Sequence, residues 1–184
     1  MDLSKTAYVI LGMLRIGKRT GYEIKSLVDV STRFFWAASY GQIYPDLKRL
    51  EKAGLIRGEA AETGERRRRE YELTPAGEEA LEAWLTAGPP LHFELRHEGL
   101  LRLFFSGSLP AAERLGLLRS IRVEHERVRD ELVDFKPGVE AAEPDDSSPL
   151  AVLKFGIAYH EFIIGWCSDT ERRLTEQTAS EKRS

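Results

Sequence analysis

Cysteine is almost missing from this 184-residue chain. A single thiol, Cys167, excludes an intrachain disulfide and agrees with a reducing, cytoplasmic setting. No run reaches the roughly 18 apolar residues that a membrane span needs, so no membrane partner is expected. The N-terminal patch MDLSKTAYVILGML is amphipathic and no small-residue cleavage site follows it, so it reads as a first helix and not a signal peptide. Enzyme signatures are absent too. The four histidines (His92, His97, His125, His160) have no carboxylate or cysteine at metal-ligand spacing. No Gly-rich phosphate loop and no nucleophile elbow occurs. No catalytic residue, metal or cofactor is therefore expected. Cys167, beside Trp166, reads as a buried thiol of no redox function.

Net positive charge is missing as well: the formal balance is −3. The distribution matters more than the total. Residues 1–75 hold 14 Lys and Arg against 10 Asp and Glu, whereas residues 76–184 hold 13 against 20. A basic front suits phosphate contact, and an acidic back disfavours binding along the wrong face.

In that front half, Leu3, Ala7, Ile10, Leu11 and Leu14 share one face of a 3.6-residue period and predict a helix over Ser4–Ile16. Thr20-Gly21-Tyr22-Glu23 is a capping box opening a second helix with Ile24, Leu27 and Val28 inward. Ser39-Tyr40-Gly41-Gln42 is another, opening a third helix whose buried face is Ile43, Leu47 and Leu50. Pro45 lacks an amide hydrogen, which predicts a bend or a restart there. Gly54 stands where that helix should end. Two short strands follow, near Leu55–Glu59 and Arg67–Leu73, around the polar tip Glu62-Thr63-Gly64-Glu65. Thr74-Pro75 starts a fourth helix, to about Leu85.

Gly88-Pro89-Pro90 is the first strong break, and it divides the chain into residues 1–88 and 89–184. The second half reads as helices: Phe93–Phe105, Ala111–Val133 and, after Ser148-Pro149, a last helix to about Glu176, with a frayed tail beyond Gln177. Lys136–Pro149 reads as a mobile acidic loop. Leu118, Ile121, His125, Val128 and Leu132 step by 3, 4, 3, 4, the spacing of a coiled-coil seam and so a dimerisation candidate. His125 reads either as a pH-sensitive position or, preferably, as a residue at the wet edge of that seam.

A capped helix followed by a hairpin with four arginines is the layout of a winged helix that grips duplex DNA. The third helix offers Tyr40, Gln42, Tyr44, Lys48 and Arg49 to a groove, and its first amides, near Ser39, can hold a phosphate. The wing offers Arg66, Arg67 and Arg68. Arg69 shares a strand face with Tyr71 and Leu73, so pairing or packing competes with DNA contact there. The plainer reading is that these cations only solvate a surface; their place in a hairpin after a capped helix favours DNA.

The strings GYEI, GQIYPDLKRLEKAGLI and GERRRREYELTPAG resemble the PadR family of bacterial transcriptional regulators across residues 6–80. The helical second half is similar to its long-chain branch, whose C-terminal helices dimerise. The resemblance implies an N-terminal winged helix-turn-helix, a C-terminal helical dimerisation domain, and a homodimeric repressor that leaves its operator when a small molecule binds. It also carries over Tyr22, Tyr40, Gln42, Tyr44 and Lys48 as DNA-facing positions. The four-arginine wing is more basic than the family's usual pattern.

Trp36, Trp84, His92, Phe93, Arg96, His160 and Trp166 are candidates for an effector pocket between the domains or at a dimer interface, with aromatic walls and one cation suited to a flat carboxylate. Core or dimer packing is the preferred alternative for each aromatic. A ligand would act by favouring one angle between the domains. The competing functional class is a winged-helix module whose cations meet an acidic protein partner instead of DNA.

Overall fold

The computed structural model describes residues 3–17, 19–61, 68–87, 90 and 93–181. The chain forms two compact units, Met1–His92 and Phe93–Ser184.

The first unit runs α1 (Lys5–Arg15), α2 (Gly21–Val30), a 3-10 turn (Thr32–Phe34), α3 (Tyr40–Lys52), β1 (Ile56–Ala61), β2 (Arg68–Leu73) and α4 (Pro75–Ala87). Side-chain oxygens start its helices. Ser4 Oγ accepts from the Ala7 amide at 3.0 Å. Thr20 and Glu23 complete a capping box, and the Ser39 amide donates to Gln42 Oε1 at 2.9 Å. Each such cap is worth about 1 kcal/mol. Helix α3 is continuous through Pro45, so the expected restart does not occur. Pro45 lies in the second turn, where the partner that its missing amide leaves unbonded is the carbonyl of Gly41. Gly54 takes the left-handed conformation (φ +72°) just past α3, which a β-carbon would strain.

The apolar faces of these helices meet in one core. Ile10, Leu11, Ile24, Val28, Ile43 and Leu47 are fully buried within it. Burial of each such side chain stabilises the fold by roughly 1.5–3 kcal/mol. Strands β1 and β2 pair antiparallel from Ile56↔Leu73 to Ala61↔Arg68. The segment before α2 joins them: Thr20 bridges Glu70, and the Tyr71 amide donates to the Arg19 carbonyl at 2.7 Å. That extra pairing has no alternating pattern of its own in the sequence. The start of α4 packs so closely on the turn between α3 and β1 that a β-carbon on Gly77 would stand 2.0 Å from the Leu55 carbonyl oxygen.

The second unit is helical among its described residues: α5 (Glu98–Phe105), a 3-10 turn (Ser106–Ser108), α6 (Ala111–Ala142) and α7 (Ser148–Glu181). Three expectations change. Helix α5 begins at Glu98, not Phe93, because His97 caps it through Nδ1. Helix α6 continues nine residues past Val133 and through Pro137 to Ala142, which shrinks the expected acidic loop to a short link before Ser148. The Lys136–Glu140 ion pair (3.1 Å) spans Pro137, and α-helical pairs at this spacing favour the helix. Helix α7 reaches Glu181, so its final turns are not frayed from Gln177.

The seam residues are used inside the chain. Leu118 and Ile121 pack with Ile163 and Cys167 of α7, and Arg119 and Arg122 of α6 pair with Glu171 of α7 at 2.8 and 3.5 Å. Leu132 is buried beside Gly156, whose absent β-carbon leaves it room, and Val128 is half-buried. His125 is only 7% exposed, so it is not at a wet edge. By length and composition α7 could cross a membrane. Ile163 and Cys167 on one side of it are buried against α6.

Candidate nucleic-acid interface

The sequence of α2 and α3 places their apolar residues inward, which leaves a polar and aromatic face outward. Tyr22 on α2 is 67% exposed, and Tyr40 and Tyr44 on α3 are nearly half exposed. The two α3 tyrosines lie face to face with ring centroids 6.0 Å apart. Lys25 Nζ sits 5.6 Å from the Tyr40 ring centroid and pairs with Asp29. Lys25 was not singled out in the sequence, although it lies three residues after Tyr22 and so one turn along the same face of α2. Gly21 sets how closely the two helices approach, since a β-carbon there would meet the Tyr44 ring at 2.8 Å.

Ser39, Gln42 and Lys48 are exposed on or beside α3. Gln42 is not a free reader: its side-chain oxygen accepts from both the amide (2.9 Å) and the hydroxyl (3.2 Å) of Ser39. Two-point contact with a base needs both ends of the amide group, so Gln42 must release its cap to make one.

Arg49 is three-quarters exposed yet held at one end, its Nη1 donating to Asp46 Oδ1 at 2.7 Å. Asp46 is only 5% exposed, and its other oxygen accepts from Ser4 Oγ at 2.6 Å. A buried carboxylate is costly unless hydrogen-bonded. Here two partners on two helices satisfy it, and α1 is thereby tied to α3.

The base of the wing is fastened to α3 in a similar way. Glu51 Oε1 accepts from the Gly58 amide at 3.2 Å and from the Arg69 guanidinium. Arg69 also lies over the Tyr71 ring, 6.0 Å from its centroid. Glu51 raises the Arg69 pKa by a hydrogen bond and its charge. Burial raises that of Tyr71. Arg69 is thus paired and not extended toward a ligand. Gly58 makes room, since a β-carbon there would stand 2.6 Å from Arg69 Nε. Glu72 gathers Arg19 (3.1 Å) and Arg57 (3.4 Å) on the opposite strand face; neither arginine was singled out in the sequence. Arg66 and Arg67 lie outside the described residues, as does the side chain of Arg68.

The effector candidates divide between the two units. In the first, Trp84 stacks on Tyr8 with centroids 4.6 Å apart and Lys5 above its ring, and Trp36 is partly exposed. In the second, Phe93 is exposed, Arg96 pairs with Glu94 at 2.7 Å, His160 is buried and Trp166 packs on the α6–α7 core. His92 lies outside the described residues. The stack on Tyr8 and the packing of Trp166 give both tryptophans a structural role.

Residues 10–83 match the family described as the Transcriptional regulator PadR-like family, and residues 95–175 match the one described as Virulence activator alpha C-term. The Negative transcriptional regulator PadR of Bacillus subtilis (strain 168) is 30% identical over 139 residues, covering 74% of this chain and 76% of that protein. The crystal structure of Bacillus subtilis PadR with operator DNA superposes with a TM-score of 0.80 at 26% identity, over 91% of this chain and 98% of that one. The structure of that protein with p-coumaric acid gives 0.76 at 26% identity, over 92% and 98%.

Proposed function

The chain belongs to the PadR-like family of transcriptional regulators, and from that premise we propose that it is a homodimeric DNA-binding repressor released from its operator by a small aromatic carboxylate. One observation carries the DNA reading: the outward face of α2 and α3 presents Tyr22, Tyr40, Tyr44 and Lys48 together, on helices whose opposite faces are locked into the core. Hydroxyls and cations on a helix face suit phosphates and base edges. The complex of a similar protein with operator DNA supports a DNA-binding role for this chain. Ser39, Gln42 and Arg49 border it, and the wing arginines Arg66, Arg67 and Arg68 are assigned to flanking phosphates.

Dimerisation is assigned to the helical unit. Phe104 (80% exposed), Phe105, Phe155 and Phe162 are uncovered there, and a second copy would remove them from water. A recognition helix from each copy would then read half-sites about 34 Å or a multiple apart. The effector class rests on the p-coumaric acid complex of a similar protein. A DNA-binding role places the protein in the cytoplasm. The family is one of transcriptional regulators, which is not an enzyme class.

Fluorescence anisotropy on duplex DNA from the protein's own promoter, against scrambled DNA at several salt concentrations, tests the proposal. Preferential and steeply salt-dependent binding is expected. Absence of binding at low salt would overturn it in favour of an acidic protein partner.

A further inference from the structure

Three histidines from three helical segments meet in the second unit. His97 Nε2 lies 2.8 Å from His125 Nε2, and His125 Nδ1 lies 2.9 Å from His160 Nδ1. The first two rings are almost parallel (8°) with centroids 5.1 Å apart. That separation is the N···N distance plus one ring radius at each end, so the rings meet edge to edge in an in-plane hydrogen bond and are not stacked. His125 and His160 are tilted by 49° with centroids 4.8 Å apart. The two contacts use opposite nitrogens of His125, so no single point is shared by all three rings. Among the described residues no group of three or more such side chains is placed to hold a metal ion.

The cap on α5 orders the protons. The Leu100 amide donates to His97 Nδ1 at 3.2 Å, so that nitrogen carries no hydrogen and neutral His97 is protonated on Nε2. His97 Nε2–H therefore donates to His125 Nε2. His125 must carry its hydrogen on Nδ1, which donates to His160 Nδ1 and leaves the His160 proton on Nε2. One neutral tautomer at each ring satisfies all three bonds, in one direction.

We propose that His97, His125 and His160 form an acid-released latch that holds the N-terminus of α5 on α6 and α7. An added proton has no place in the chain. On His97 Nδ1 it would face the Leu100 amide and uncap α5. On His125 Nε2 it would face the His97 N–H, and on His160 Nδ1 the His125 N–H. Each case turns a hydrogen bond into two opposed donors.

The surroundings agree. Burial, then the charges of His160 and His97, hold His125 down at about 4, while Glu124 opposes them. Burial also lowers His160, again opposed by Glu124. Glu124 on α6 is the carboxylate facing both rings, and it is itself engaged by Arg127. Tyr159 of α7 lines the site, with its ring centroid 6.0 Å from that of His125 and 5.4 Å from that of His160. An unconstrained histidine titrates near 6.5. The contributions of His125 and His160 to the latch are therefore complete above about pH 6.5 and weaken as pH falls, that of His125 down to about 4, by up to about tenfold per pH unit for each of the two. It would add a proton input to the regulator proposed above, but it does not depend on DNA binding.

Hydrogen exchange of the full chain tests it, at pH 7.5 and 5.5, corrected for intrinsic exchange. In the wild type the α5 amides from Leu100 to Phe105 should exchange about tenfold faster at pH 5.5. In His125→Gln, which can donate and accept but not titrate, the difference should fall to about half or less of the wild-type value, because one of the rings that can take up a proton is removed. An unchanged wild type, or the same pH effect in the variant, overturns the latch. Imidazole 15N–1H correlation spectra of the wild type at pH 7.5 keep the test open if the variant does not fold. They should show Nε2–H, Nδ1–H and Nε2–H for His97, His125 and His160. A charged ring, or an Nε2–H on His125, overturns the proposal.

Discussion

The carboxylate of Glu51, in the last turn of α3, holds the guanidinium of Arg69 in β2. It accepts the Gly58 amide of β1 as well. One side chain thus fastens both wing strands to α3, and it engages one of four consecutive arginines.

Replacing Glu51 by Gln keeps an acceptor for Gly58 and removes the ion pair. Arg69 is then free for a phosphate, and the slope of log affinity against log salt should steepen by about one. Anisotropy titrations over a salt series measure it. An unchanged slope would mean that Arg69 cannot reach DNA even when released.

Asp46 and Ser4 tie α1 to α3 through a 2.6 Å hydrogen bond. Asp46→Ala should cost about 1–3 kcal/mol because it strands the Ser4 hydroxyl and removes a paired carboxylate. Ser4→Ala should cost about 1 kcal/mol through the lost cap on α1. Denaturant melts of both single variants and the double variant should show costs that do not add, because the two groups share one bond.

Gln42 both caps α3 and faces outward. Gln42→Glu can keep the capping box, so its melting temperature should stay near that of the wild type, while the new charge weakens DNA binding. Gln42→Ala should lose about 1 kcal/mol of stability and also alter base preference. Melts paired with anisotropy on single-base operator variants separate the two roles. A uniform loss on every sequence would remove Gln42 from base reading.

Gly77→Ala places a β-carbon 2.0 Å from a backbone oxygen. A backbone neighbour yields less easily than a side chain, and overpacking of this kind costs typically about 1–3 kcal/mol. A drop in melting temperature with unchanged helical content by circular dichroism is expected.

Arg66→Ala and Arg67→Ala should weaken binding on all sequences. Each should also make the salt slope shallower by about one if its guanidinium neutralises one phosphate. An unchanged slope would take these wing arginines out of the account.

Local signals are strong where one side chain answers its near neighbours. Thr20 with Glu23, Ser39 with Gln42 and Thr74 before Pro75 mark three helix starts from within four residues, and the period of Ile10, Leu11 and Leu14 marks the buried face of α1. The first unit is therefore legible as a capped helix-turn-helix with a hairpin. The sequence misleads where a distant partner outweighs a local rule. Pro137 and the acidic stretch after it read as a loop, yet α6 runs on to Ala142 beside α7. The heptad-like seam reads as a surface for a second chain, yet α7 folds back and covers it. Periodicity shows that a face is buried but not what buries it. The three histidines lie 28 and 35 residues apart along the chain, with no shared spacing to link them. The sequence by itself determined the caps, the apolar faces, the charge asymmetry and the family motifs, because each depends on residues close in the chain or on composition. Only the tertiary structure decided that Glu51 engages Arg69, that Asp46 bridges two helices, and that the histidines join. Those contacts depend on how helices pack, and no short stretch of sequence encodes that.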